Sequence, residues 1–135
     1  MSEEMSMPKQ GAFCWAEIAT NDLETCKTFY KNVFGWEMDE SKAAGPGMVY
    51  QEFNLPGEYP MGGMFNMKDI FGDHCPPPHF MNYISVENVD ESAAKVESLG
   101  GKLCQPPKDI PNVGRMVTIE DPTGALVTLI TLQHH

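Results

Sequence analysis

An internal repeat constrains this chain more than any other feature of its sequence. FCWAEIATNDLETCKTFYKNVFGW (13–36) and HFMNYISVENVDESAAKVESLGGK (79–102) follow one plan: a short apolar strand, an Asn/Asp cap, an amphipathic helix and a glycine stop. Asp22 and Asn88 stand where an N-cap oxygen satisfies the first free backbone N–H groups of a helix. Glu91 follows Asn88 at capping-box spacing. Leu23, Cys26, Phe29, Tyr30, Val33 and Phe34 recur at helical steps, as do Val89, Ala93, Val96 and Leu99. That periodicity predicts one buried stripe per helix. Gly35 and the pair Gly100–Gly101 supply the left-handed C-caps.

Strand-like runs split by turn residues follow each helix. They are Trp36–Asp39, Met48–Asn54 and Met61–Asn66 in the first half, and Lys102–Cys104, Arg115–Glu120 and Ala125–Leu132 in the second. Both halves therefore read β-α-β-β-β, an α+β class. Between them KDIFGDHCPPP (68–78) ends in consecutive prolines, which continue neither sheet nor helix. The expected organisation is a single domain over 1–135, with module one at about 10–67, a linker at 68–78 and module two at about 79–133. One module alone is too small to bury both faces of its sheet.

Nine Lys+Arg against nineteen Asp+Glu give a net charge of −10. Such a charge repels phosphate backbones and anionic lipid, so neither nucleic acid nor a membrane is an expected partner. No apolar run approaches the ~18 residues of a membrane span. The segment MSEEMSMPKQ lacks a basic n-region and an apolar h-region, so no signal peptide is expected there. Cys14, Cys26, Cys75 and Cys104 are scattered without a CxxC pair, which suits reduced thiols and a cytoplasmic location.

Period-two alternation separates the two faces of each strand. Cys14, Ala16 and Ile18 suit the face beneath the first helix, leaving Phe13, Trp15, Glu17 and Ala19 on the other. Ile84 and Val86 suit the helix side of the second module, leaving Met81, Tyr83 and Ser85 opposite; Leu126, Thr128 and Ile130 share one face of the last strand. The face away from the helices thus carries Trp15, Glu17, Met81, Tyr83 and Thr128. Apolar surface with a few polar groups is what a small-molecule cleft shows. A face closed by another subunit would have the same composition, and the pattern favours neither. Met48, Met61, Met64, Met81 and Met116 fall on or beside strands, where thioethers line an adaptable pocket or simply fill core. Trp15, Tyr50, Phe53, Phe65 and Tyr83 are candidates for stacking on a ligand, or ordinary core aromatics. The adjacent Gly62 and Gly63 read as a turn or bulge that lets backbone approach closely.

The run WAEIATNDLETCKTFYKNVFGW, then MGGMF, VENVDESAAKVESLGGKL and GRMVTIEDPTGALVTLI, resembles the vicinal oxygen chelate superfamily of glyoxalase I, bleomycin-resistance proteins and extradiol dioxygenases. The resemblance covers about residues 10–132, and its W-x-E-I opening with an FGW ending is similar to the single-domain, antigen-type subgroup. It implies paired βαβββ modules forming a U-shaped mixed sheet around a cleft, helices on the outer face, and a frequent homodimer. It also implies metal-ligand positions at Trp15, about Met64 (Gly63 if the register slips), Met81 and Thr128. An indole nitrogen is only a donor, and thioethers suit soft ions, so no metal and no cofactor is expected there.

Two function classes remain. The first is a small-molecule binding protein with a metal-free cleft lined by Trp15, Glu17, Tyr50, Met64, Met81, Tyr83 and Thr128. The second is an enzyme, a lactoylglutathione-lyase-like lyase or an isomerase, with Glu17 as general base. Beside Trp15 and Tyr83 that carboxyl would be partly desolvated, which raises a pKa toward general-base range. Glu17 bonded to backbone or to a partner chain is the structural alternative. A third option is a purely structural partner with its sheet face covered. His74, Cys75 and His79 are too few and too divided by prolines for a tetrahedral zinc site, and His134 and His135 support none.

Overall fold

The computed structural model of the protein describes residues 8–41 and 49–133; Met48, His134 and His135 lie outside that range. The chain divides into two compact units, Trp15–Met81 and a second made of the residues up to Cys14 together with Asn82 onward. The repeat is visible in both.

The first unit holds most of β1 (Phe13–Thr20), α1 (Leu23–Phe34), β2 (Glu37–Glu40), β3 (Tyr50–Asn54) and β4 (Gly62–Asn66). Its strands lie in the order β2-β3-β4-β1, with the β1–β4 contact parallel and the others antiparallel. The Asp22 side chain accepts from Thr25 N–H, while Asn66 on β4 accepts from Leu23 N–H, so two of the helix's free donors are satisfied. Gly35 closes the helix at φ 75°, the left-handed conformation that the FGW sequence supplies. Ile18, Leu23, Phe53 and Met64 form the core between helix and sheet, with Cys26, Tyr30 and Trp36 packed against them. Each fully buried side chain of this size contributes roughly 1.5–3 kcal/mol.

The predicted stripe is narrower than six residues. Leu23, Cys26 and Tyr30 face the sheet, but Phe29, Val33 and Phe34 are more than half exposed. Phe29 and Val33 lie to one side of the stripe, and Phe34 sits at the helix end, where its ring stacks on Tyr30 and tilts against Trp36. In the second unit Leu99 is likewise 74% exposed, one residue beyond the end of its helix.

The second unit holds the end of β5 (His79–Ser85), α3 (Val89–Ser98), β6 (Lys102–Leu103), β7 (Lys108–Ile110), β8 (Gly114–Glu120) and β9 (Leu126–Leu132). Its order, β6-β8-β9-β5 with a parallel β9–β5 contact, reproduces that of the first unit. Val86, Val89, Ala93, Val117, Ile119 and Leu129 form its core. The segment at 8–12 belongs here too: Gly11 N–H donates to Ser85 C=O and Ser85 N–H to Ala12 C=O. Two elements were not expected. β7 lies inside QPPKDIPNVG and pairs with β8, and α2 (Lys68–Phe71) is a single helical turn in the linker.

Candidate functional site

The candidate face of the first unit is set by strand parity. Trp15 and Glu17 are two residues apart on β1, so they share the face turned away from α1. Register pairs Glu17 with Gly63 on β4, Gly63 with Glu52 on β3, and Tyr50 with Phe65. The Tyr50 ring leans diagonally over Gly63, reaching a residue two positions from its direct partner. A Cβ on Gly63 would fall inside that ring. The phenol thereby spans from β3 across β4 to β1. There Trp15 Nε1–H donates to Tyr50 Oη at 2.8 Å, and Tyr50 Oη–H donates to Glu17 Oε2 at 2.8 Å. Phe65 lies beneath, its ring stacked on Tyr50 at 6.3 Å and 20°, with Ala19 and Met67 completing a second buried cluster.

This arrangement brings together three of the expected site residues, Trp15, Glu17 and Tyr50, all part-buried. Met64 is a correction. It is wholly buried, pairs with Ile18, and packs with Leu23 and Phe53 beneath the helix. Gly63, the alternative at that position, is the residue on the Trp15 face. A one-residue slip moves a side chain to the opposite face, and two adjacent glycines leave no alternation from which to read it. Gly62 and Gly63 form no turn or bulge either. They lie inside β4, and the close approach is by the Phe53 ring and the Ala16 carbonyl at Gly62 and the Tyr50 ring at Gly63. Phe53 also leaves the stacking set, buried against Trp36 at 4.3 Å on the helix side.

In the second unit Tyr83 and Thr128 are direct neighbours on the face away from α3. Both are buried, and the Thr128 hydroxyl pairs with that of Thr118 at 2.8 Å. Burial raises the thiol pKa of Cys14, whose Sγ contacts Tyr83 C=O at 3.6 Å; Cys26 and Cys104 are raised mainly by the same cause. All four cysteines are free thiols. Met81 is part-buried on β5. At the start of β5 His79 Nδ1 meets Pro77 C=O at 2.8 Å, and in the linker Cys75 Sγ donates to Gly72 C=O.

The donors at the positions that the resemblance marks for a metal do not suit a hard or borderline divalent ion. Trp15 offers an indole N–H already given to Tyr50, Gly63 offers no side chain, Met81 a thioether, and Thr128 a hydroxyl tied to Thr118. Among the described residues no three His, Cys, Asp or Glu are grouped to hold a metal ion.

The family model described as Glyoxalase/Bleomycin resistance protein/Dioxygenase superfamily matches residues 13–129. A protein of Mycobacterium tuberculosis (strain CDC 1551 / Oshkosh) named "Putative glyoxylase CFP32" is 36% identical over 134 residues, covering 94% of this chain and 48% of that protein. Anthracycline biosynthesis protein DnrV of Streptomyces peucetius is 27% identical over 124 residues, covering 85% and 45%. The chain thus spans about half the length of these curated relatives. Methylmalonyl-CoA epimerase from Mycobacterium tuberculosis shares the fold at a TM-score of 0.62 and 17% identity, over 96% of this chain and 94% of that one. A variant of homoprotocatechuate 2,3-dioxygenase from B. fuscum does so at 0.63 and 17%, over 93% of this chain and 34% of the dioxygenase. With the matched family model covering both halves of the repeat, the chain belongs to the glyoxalase/bleomycin resistance protein/dioxygenase superfamily.

Proposed function

We propose that this chain binds a small, partly apolar molecule on the Trp15–Tyr50–Glu17 face without a divalent cation. The observation that carries this reading is the hydrogen-bonded series itself, in which an indole stands at one position implied for a metal donor, a phenol covers a second at Gly63, and the nearby carboxylate is engaged by that phenol. The rings supply apolar surface, and the carboxylate supplies a polar group that accepts and does not donate when ionised. Charge narrows the ligand further. Strands β1 to β4 contain no Lys, Arg or His, and on the Trp15 face they carry Glu17, Glu37, Asp39 and Glu52. Such a surface suits a neutral or cationic hydrogen-bond donor and opposes an anion.

The test is ligand-observed NMR with a fragment library, on protein stripped with EDTA and on protein supplied with zinc, nickel or iron. The reading expects the same hits and affinities in both samples. Glu17→Gln should weaken them roughly tenfold or more, the usual scale for a hydrogen bond to a charged group. Binding that appears only with one equivalent of metal per chain would overturn it.

The second reading is a lyase or isomerase with Glu17 as general base. It is favoured by the relative named as a glyoxylase and by the phenol that fixes the carboxylate. Here Glu17→Gln should abolish turnover with affinity nearly intact, the opposite split.

A further inference from the structure

We propose that Tyr50 is the positioning residue of this site, holding Glu17 and coupling its carboxylate to the Trp15 indole. The inference rests on the reading of this face as the ligand face. It assigns Tyr50 a different part from that of an aromatic platform.

Donor chemistry fixes the direction of the series. An indole nitrogen can only donate, so the Tyr50 oxygen must accept from Trp15. The one phenolic proton is then directed to Glu17 Oε2. The ring that carries this hydroxyl has little freedom, because it lies on Gly63 on one side of the strand pair and stacks on Phe65. Gly63 is therefore part of the device: any side chain there would displace the ring. The position at which the resemblance expects a metal donor is thus closed by a phenol from the neighbouring strand.

Hydrogen bonds in series polarise one another. A strong acceptor at Glu17 draws the phenolic proton, enriches the Tyr50 oxygen and strengthens its bond from Trp15. A ligand donor that engages the carboxylate weakens that pull, and the effect reaches the Trp15 indole through Tyr50. Trp15 becomes the reporter of events at Glu17.

The experiment follows the two tryptophan indole resonances of the 15N-labelled full chain by NMR, with no ligand present; Trp15→Phe assigns them. Tyr50→Phe, which keeps the ring on Gly63, should speed solvent exchange of the Trp15 indole proton roughly five- to tenfold. Glu17→Gln should shift the Trp15 indole proton and leave Trp36 unchanged. In the Tyr50→Phe background, Glu17→Gln should shift it no further. Equal shifts with and without the hydroxyl, or no shift at all, would overturn the proposal. Uniform 3-fluorotyrosine labelling supplies a reading that needs no substitution at Tyr50. A more acidic phenol should move the Trp15 resonance in wild-type protein, and by a different amount in Glu17→Gln; an unmoved resonance, or the same movement in both, counts against the coupling. Because no ligand enters, failure here leaves the ligand-binding reading standing, and failure of the fragment screen leaves the coupling standing.

Discussion

Gly63 and Gly62 are adjacent in one strand, yet a methyl group added to each would meet different neighbours. At Gly63 it would enter the Tyr50 ring, and at Gly62 it would meet the Phe53 ring and the Ala16 carbonyl. Both Gly63→Ala and Gly62→Ala should therefore destabilise the protein by about 1–3 kcal/mol, the usual cost of overpacking. Only Gly63→Ala should also expose the Trp15 indole. Urea unfolding gives the first quantity, and indole exchange gives the second; parallel indole changes in both variants would count against the assigned faces. What the sequence could and could not show at this scale follows from the same strand. Alternation along β1 was enough to put Trp15 and Glu17 on one face. Nothing periodic joins Glu17 to Tyr50, because that link runs through pairing across β4 and depends on a side chain leaning diagonally. The Met64 face was misread for want of a side chain on either glycine before it.

Elements were most legible where local chemistry decides them. Asp22, Asn88 and Gly35 bound their helices as the capping pattern indicates, since each acts on backbone groups within one turn. β7 was hidden because prolines at 106, 107 and 111 flank a strand of three residues, whose pairing rests wholly on β8. It matters nonetheless. Arg115 on β8 reaches Asp109 on β7 at 3.2 Å and holds Asp90 in the first turn of α3 through two bonds, at 2.9 and 3.1 Å. The Arg115 hydrogen bonds hold the Asp90 carboxyl below the usual carboxylate range. A carboxyl whose folded pKa is depressed adds stability above its unfolded pKa of about 3.9 and loses it as pH falls through the folded value. Arg115→Leu should return the Asp90 titration, followed by carboxyl 13C NMR, toward the ordinary range. Its destabilisation should be visible at neutral pH and vanish in acid. The groups are exposed, so the difference should also shrink with salt. A deficit that persists unchanged at low pH would show that Arg115 acts through packing.

Over the whole molecule the repeat sets the strand order of each half, and the net charge sets the field around it. The order β2-β3-β4-β1 recurs as β6-β8-β9-β5, so each half closes a helix over one sheet face and turns the other away from it. The halves diverge in what that face carries: buried Tyr83 and Thr128 in the second unit, a part-buried hydrogen-bonded series in the first. The net charge of −10 then acts on any ligand approaching the first face. Tryptamine and indole-3-propionate present the same ring and tether with opposite charge, which makes them a matched pair for this question. At about 0.01 M salt, where the screening length is about 30 Å, tryptamine should bind more tightly, because the whole acidic field reaches it. At about 1 M salt the length falls to about 3 Å, and only direct contact with Glu17 should still separate the two. Titration calorimetry at both salt concentrations measures the ratio of affinities. A shrinking preference for the amine fits a ligand that meets a carboxylate within an acidic surround, whereas a preference for the acid at low salt would require a cation on this face that strands β1 to β4 do not carry.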